Sequence, residues 1–170
     1  MKTVVKLPMK RLILHIGMHK TGTSSIQSTL WNSRAQLENY DVYYPTIQEF
    51  NHSFSFYPMF IDDHTDHVFK RVKIYEPEDM KREQEKWRQL WVKEFQLSNH
   101  KNFIISGENL SLLGKDDIRK LKEFVDPFFD EIRIIIYVRE PISYMHSDLQ
   151  QHVKSGICSI EEFNKGKLEC

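Results

Sequence analysis

Apolar residues occur along the chain in short, nearly continuous runs that alternate with longer stretches of helical spacing. The short runs cover residues 12–16, 42–44, 103–106 and 132–138 and are rich in Leu, Ile, Val and aromatic residues, which is typical of strands covered on both faces. Between them, apolar residues recur every three or four positions, which predicts helices. The alternation predicts one α/β domain over residues 1–170, with a central, mainly parallel sheet flanked by helices.

Three of these segments allow more detailed predictions. The run Ile132 to Val138, IRIIIYV, is the most strongly β-like of the sequence and predicts the central strand. The stretch Glu78 to Ser98 predicts a long helix with a broad apolar face. We expect that face to hold Met80, Trp87, Leu90, Trp91 and Leu97. A last helix, beginning near Pro141, is expected to turn Ile142, Met145, Leu149 and Val153 toward the core.

Composition limits the classes of partner. Among 170 residues, 24 Lys and Arg balance 24 Asp and Glu, so no overall field attracts nucleic acid or a membrane surface, and an anion site would have to be a local pocket. The two cysteines, Cys158 and Cys170, lack metal-ligand spacing. The sequence contains neither a signal-peptide core nor an apolar stretch long enough for a membrane span. We therefore expect a cytoplasmic protein without a nucleic-acid partner.

Glycines and hydroxyl residues fill the link between the first strand and the first helix. Gly17 and Gly22 have the spacing of the nucleotide-binding motif G-x-x-x-x-G-K-[ST], but Thr23 stands where that motif has its lysine, and Lys20 lies before the second glycine. The hydroxyl residues of this link are Thr21, Thr23, Ser24 and Ser25. Free N–H groups at a helix N-terminus beside a cation are typical of a phosphate site. The alternative is a strand-to-helix turn of small residues with a solvated lysine.

This link also carries a resemblance to a known family. The string HIGMHKTGTSSIQ resembles the 5′-phosphosulfate loop of sulfotransferases that use 3′-phosphoadenosine 5′-phosphosulfate (PAPS), in particular the bacterial, carbohydrate-type branch. The resemblance implies a three-layer, P-loop-like fold, PAPS as the sulfuryl donor, its 3′,5′-bisphosphate (PAP) as product, and no metal. It implies that Lys20 is the catalytic cation at the bridging oxygen. The donor-binding residues it implies are His19, Lys20, Thr21, Gly22, Thr23, Ser24 and Ser25.

A second segment, YVREPISYMHSDLQQ, is similar to the 3′-phosphate site of the same family. There a strand ends in arginine, a proline follows, and a serine lies eight residues after the arginine. Arg139 and Ser147 have that spacing. A guanidinium binds phosphate in a bidentate way, so the chemistry agrees with the resemblance. The alternative is that Arg139 pairs with Glu140 or another carboxylate.

Two residues are candidates for the catalytic base. Ser106-Gly107-Glu108-Asn109 follows a predicted strand and resembles the form of the family in which glutamate is the base, which implies Glu108. Alternatively, Glu108 caps the next turn or pairs with a lysine. The pair Asn51-His52 resembles one found near the acceptor side in bacterial members, so His52 is a second candidate; a packing or surface histidine is the other interpretation.

Together these segments predict a sulfotransferase that moves a sulfuryl group from PAPS to a hydroxyl acceptor, with a saccharide as one candidate, by in-line displacement. The resemblance extends from about Arg11 to Phe163 and implies that the chain lacks the C-terminal part of the family domain. Two alternatives remain. One is a non-catalytic domain that binds 3′-phosphonucleotides; the other is a P-loop nucleotide kinase, against which stands the absence of an Asp after Val138.

Overall fold

The computed structural model describes residues 9–156, which form a mixed α/β arrangement with a four-stranded parallel sheet flanked by helices. The strands are β1 (Arg11–His15), β2 (Val42–Tyr43), β3 (Asn102–Ser106) and β4 (Glu131–Ile135). The helices are α1 (Thr23–Asn32), α2 (Arg34–Glu38), α3 (His67–Arg71), α4 (Pro77–Leu97), α5 (Lys115–Val125) and α6 (Pro141–Lys154). Short 3-10 turns occur at His52–Phe54, Tyr57–Met59 and Glu108–Leu112.

The sheet has the strand order β2-β3-β1-β4. At the end of β1, His15 is paired in register with Ser106 of β3 and with Ile135 of β4. Because all pairs are parallel, the carboxyl ends of these three strands lie at one edge of the sheet. Ligand sites of open α/β sheets form at this edge. The segments after β1, β3 and β4 that carry the predicted site residues therefore begin close together.

Helix α4 supplies much of the core. Trp87, Trp91 and Phe95 are buried, and the centroid of the Phe95 ring lies 5.2 Å from that of Phe103 in β3. The predicted core positions Leu90 and Leu97 are instead 38% and 67% exposed. The spacing of four residues from Trp87 to Phe95 keeps these side chains on one face, whereas Leu97 is rotated by about 200° from Phe95 around the helix axis. Phe95, and not Leu97, completes the apolar face.

The middle of the segment 46–67, residues 52–61, is mostly buried although the sequence lacks a regular period. Phe56, Tyr57, Met59 and Phe60 are all at most 4% exposed, and the Trp91 indole donates a hydrogen bond to the carbonyl of Ser55. The segment therefore packs over the sheet as part of the core. None of the helices described in residues 9–156 is both long enough and apolar enough to cross a membrane.

The prediction that residues 132–138 form the central strand is wrong for the part of the chain that the structure describes. Strand β4 ends at Ile135, lies at the edge of the sheet, and pairs there with β1. Its Ile134 is 63% exposed. In α6 the predicted core residues Ile142 and Met145 are also exposed, and Leu149 and Val153 are half-buried. An apolar side chain is stabilised by burial, but it becomes buried only where another element packs over it.

Candidate functional site

The backbone conformation of the loop between β1 and α1 depends on its two glycines. A Cβ on Gly17 would lie 2.5 Å from Cγ2 of Thr23 and 2.9 Å from Nε2 of His15, so only glycine fits there without a shift of its neighbours. Gly22 has φ 83°, and Lys20 has φ 63°. Both values lie in the left-handed region, which glycine adopts at little cost and lysine rarely adopts. These two residues turn the chain into α1.

The first turn of α1 has no side-chain cap. Gly22 is its N-cap and provides no side-chain acceptor for the N–H groups of the first turn. Ser24 and Ser25 are exposed, and the Thr21 hydroxyl donates to the carbonyl of Met18 at 2.5 Å. An uncapped helix N-terminus with adjacent hydroxyls can bind an anion through its N–H groups and the positive end of the helix dipole.

Glu108 links the end of β3 to this loop. Its Oε2 accepts a hydrogen bond of 2.7 Å from the hydroxyl of Thr23, and Nδ1 of His19 lies 3.6 Å from the same oxygen. The Glu108 side chain is 21% exposed, so solvent still reaches it. The structure thus brings together three of the predicted site residues, Glu108, Thr23 and His19. The role of Glu108 as a base stays a prediction.

Arg139 links the end of β4 to the loop. Its Nη1 donates to the carbonyl of Lys20 at 3.0 Å, and its Nε donates to the hydroxyl of Ser143 at 2.9 Å. The alternative partner, Glu140, instead caps α6, because its carboxylate accepts hydrogen bonds from the first-turn N–H groups. Those bonds lower the pKa of Glu140. Ser147 is half-buried one turn beyond Ser143, so a phosphate shared by Arg139 and Ser147 stays a prediction.

His52 lies behind the end of β3. The side chain is fully buried, its Nδ1 accepts a hydrogen bond from the N–H of Ser106, and its Nε2 lies 3.1 Å from the carbonyl of Pro45. Burial lowers the pKa of His52 to about 4, so the imidazole is neutral at neutral pH. The bond at Nδ1 joins His52 to β3, and the contact at Nε2 joins it to the chain just after β2. The proposed role of His52 as a base stays a prediction.

Two polar contacts near the loop were not predicted. Nδ1 of the buried His15 lies 2.7 Å from the hydroxyl of Ser106. Gln27, which is fully buried, donates to the side-chain oxygen of Asn51 at 3.3 Å. Gln27 follows Thr23 by four residues on α1, and that helical spacing was the available signal for it. No spacing in the sequence indicates that His15 meets Ser106, because strand register decides this contact.

The turn at 62–67 contains acidic and histidine residues, and His67 has a polar partner on each side of its ring. Nδ1 of His67 lies 3.1 Å from a carboxylate oxygen of Asp66, and its Nε2 lies 3.2 Å from the amide nitrogen of Asn109. Over residues 9–156, no three His, Cys, Asp or Glu side chains meet in a group that could hold a metal ion. Cys158, Cys170 and the end of the family resemblance at Phe163 lie outside the described residues.

The chain was compared with known proteins in three ways. No protein-family model, curated protein or solved structure matches it. The interpretation of the site therefore depends on its own motifs and geometry.

Proposed function

We propose that the chain is a PAPS-dependent sulfotransferase domain with a three-layer, P-loop-like fold. One observation carries the proposal: the three segments that resemble sulfotransferase motifs meet at one edge of the sheet. The Thr23 hydroxyl binds Glu108, and Arg139 binds the carbonyl of Lys20. A phosphate loop, an acid–base residue and a second anion-binding residue are the groups that transfer from a 3′-phosphorylated nucleotide needs.

The roles follow from the chemistry of each group. The open first turn of α1 and the hydroxyls of residues 21–25 bind the 5′-phosphate. Arg139, with Ser147 of α6, binds the 3′-phosphate as a charge-assisted fork, which favours a 3′-phosphorylated nucleotide over ADP. Lys20 stabilises the negative charge that develops on the oxygen bridging phosphate and sulfur. In this proposal, side chains and backbone N–H groups of the protein fill all of these roles, without a metal ion.

The transfer itself needs a base. The acceptor oxygen forms a bond to sulfur while the bond from sulfur to the bridging oxygen breaks, and PAP leaves as its conjugate base. Glu108 takes the proton of the acceptor hydroxyl. Its bond to Thr23 holds the carboxylate beside the loop that would bind the donor. His52 is the second candidate, although both of its nitrogens already form hydrogen bonds.

A transfer assay with ³⁵S-labelled PAPS and a panel of hydroxyl acceptors, saccharides included, tests this function. We expect Lys20→Ala to reduce the transfer rate by roughly 10²-fold or more, because one electrostatic contact to the developing charge is lost, and to reduce PAP affinity by less than that. Lys93→Ala, an exposed lysine of α4, is the matched control. Equal rates in the Lys20→Ala protein and the wild type would overturn the assigned role.

Nucleotide selectivity separates the proposal from the non-catalytic and kinase alternatives. We expect Arg139→Ala to abolish the preference for PAP over ADP, since its guanidinium is the group assigned to the 3′-phosphate. Selective PAP binding without transfer to any acceptor would favour the non-catalytic domain. Binding of ATP that requires magnesium would favour the kinase.

A further inference from the structure

His15 is a buried imidazole that the proposed mechanism does not use. It is the last residue of β1, is 4% exposed, and lies directly before the loop. Its Nε2 has no hydrogen-bond partner among the residues the structure describes. Buried polar atoms are rarely left without a partner, so an unpaired ring nitrogen at a candidate site indicates that something else meets it.

The unpaired nitrogen faces the loop. Nε2 is 2.9 Å from the position that a Cβ of Gly17 would occupy, and that position is also in contact with Thr23 at the start of α1. The ring of Tyr137 packs edge-to-face against the imidazole, and the two ring centroids are 5.6 Å apart. His15 therefore lies beneath the loop whose N–H groups are proposed to bind the 5′-phosphate, with its free nitrogen on the loop side.

The other nitrogen has a partner that accommodates either protonation state. Nδ1 lies 2.7 Å from the hydroxyl of Ser106, which can donate to a neutral ring or accept from a protonated one. A protonated His15 would be bonded at Nδ1 and would present an N–H at Nε2.

We propose that His15 is a further residue of the anion site, a buried imidazole that gains a proton when an anion occupies the loop and thereby strengthens its binding. The inference rests on the proposed function for the identity of the anion, the 5′-phosphate of PAP. Burial lowers the pKa of His15, which favours the neutral ring when no anion is near. An anion within about 4–6 Å favours the charged imidazolium.

The neighbouring groups favour this coupling. The titratable or charged groups around the ring and the loop are Tyr137, Tyr44, His52, Glu108, His19, Lys20 and Arg139. His52 is buried and neutral, and the carboxylate of Glu108 is reached through Thr23. The cations Lys20 and Arg139 belong to the loop side, where a bound phosphate would offset their charge. The charge that binding adds near His15 is therefore the negative charge of the phosphate.

Calorimetric titration of the 170-residue chain with PAP tests the proposal. Titrations between pH 6 and pH 8, in pairs of buffers with different ionisation enthalpies, measure the protons taken up on binding. The variant is His15→Gln, and the matched control is His64→Gln, a histidine of the 62–67 turn. The phosphates of PAP also titrate near pH 6. The contribution of His15 is therefore measured as the difference in proton uptake between the variant and the other proteins.

We expect the wild type and the His64→Gln protein to take up more protons than the His15→Gln protein. We also expect their affinity for PAP to rise more on acidification, by about tenfold for each unit by which the anion raises the pKa of His15. Equal proton uptake in all three proteins would overturn the inference while leaving the proposed function intact. ADP and inorganic pyrophosphate are titrated in parallel. If PAP binds no better than ADP, yet these anions show the His15-dependent uptake, the proposed function fails and the inference stands.

A spectroscopic measurement covers the case in which His15→Gln does not fold. In the wild-type protein, the imidazole carbon resonances of His15, followed from pH 5 to pH 8, report its protonation directly. We expect the titration midpoint to move to higher pH when PAP is added at saturation. An unchanged midpoint would overturn the inference, and so would a chain that binds none of these anions.

Discussion

The fit of Gly17 between His15 and Thr23 gives the most specific test of the loop geometry. In Gly17→Ala the new Cβ would lie 2.5 Å from Cγ2 of Thr23, about 1 Å inside the usual separation of two carbon atoms. Thr23 is buried, β-branched and hydrogen-bonded to Glu108, so its side chain cannot rotate away without losing that bond. Overpacking of this kind costs about 1–3 kcal/mol of unfolding free energy.

The clash identifies the substitution that should relieve it. Thr23→Ser removes Cγ2 and keeps the hydroxyl for Glu108, so Gly17→Ala should cost less in that background. We expect a coupling between the two changes of about 1 kcal/mol or more, within the range of about 0.5–3 kcal/mol seen for residues in contact. The remaining contact, 2.9 Å to Nε2 of His15, means that relief will be partial.

Urea denaturation measures both effects. With a slope of about 2 kcal/mol per molar urea, a loss of 2 kcal/mol lowers the midpoint by about 1 M. Gly114→Ala is the control, because its Cβ would meet no atom closer than 3.4 Å. Its midpoint should therefore fall much less. A Gly17→Ala protein with the wild-type midpoint, or one with the same cost in both backgrounds, would contradict the described packing of the loop.

Two further predictions concern the groups next to the loop. Glu108→Gln keeps an acceptor for Thr23 but cannot take a proton, so transfer should fall by roughly 10²–10⁴-fold while PAP affinity changes little; loss of PAP binding in a titration would instead assign Glu108 a structural role. Burial of His52 lowers its pKa from 6.5 to about 4, so only the unfolded chain binds this proton between those values. The unfolding free energy should therefore fall as pH falls, by about 2 kcal/mol from pH 7 to pH 5, and urea midpoints that are equal at the two pH values would contradict this.

The sequence predicted the elements around the loop because local chemistry decides them. The apolar run before Gly17 is β1, and α1 begins at Thr23, directly after Gly22. A strand with a continuous apolar run, a glycine that can adopt a positive φ and a helix start each leave a local signature. The sheet is parallel, as the alternation of strands and helices indicated.

Features set by contacts between distant segments were predicted less well. Strand β4 and the first turns of α6 have the apolar pattern of buried elements, yet Ile134, Ile142 and Met145 are exposed in the described structure. Conversely, the segment 46–67 has no period, but residues 52–61 within it are mostly buried. Periodicity reports which side of an element prefers the core, whereas the arrangement of other segments decides what covers it.

The candidate site divides in the same way. The family resemblance selected Lys20, Glu108 and Arg139, and the structure brings their segments together at the carboxyl edge of the sheet. The partners of these residues depend on register and side-chain direction. The contact of Arg139 with Ser143 and that of His15 with Ser106 therefore became visible only in the folded chain.

The central claim is a donor site for a 3′-phosphorylated nucleotide, and thermal unfolding with PAP, ADP and ATP plus magnesium tests it most directly. A ligand at one hundred times its dissociation constant adds about 2.7 kcal/mol to the stability of the folded state, which raises the melting temperature of a chain of this size by roughly 5–10 °C. We predict that PAP stabilises the wild type, that ADP stabilises it much less, and that Arg139→Ala removes the difference. Equal shifts with PAP and ADP, or no shift with either, would contradict the claim.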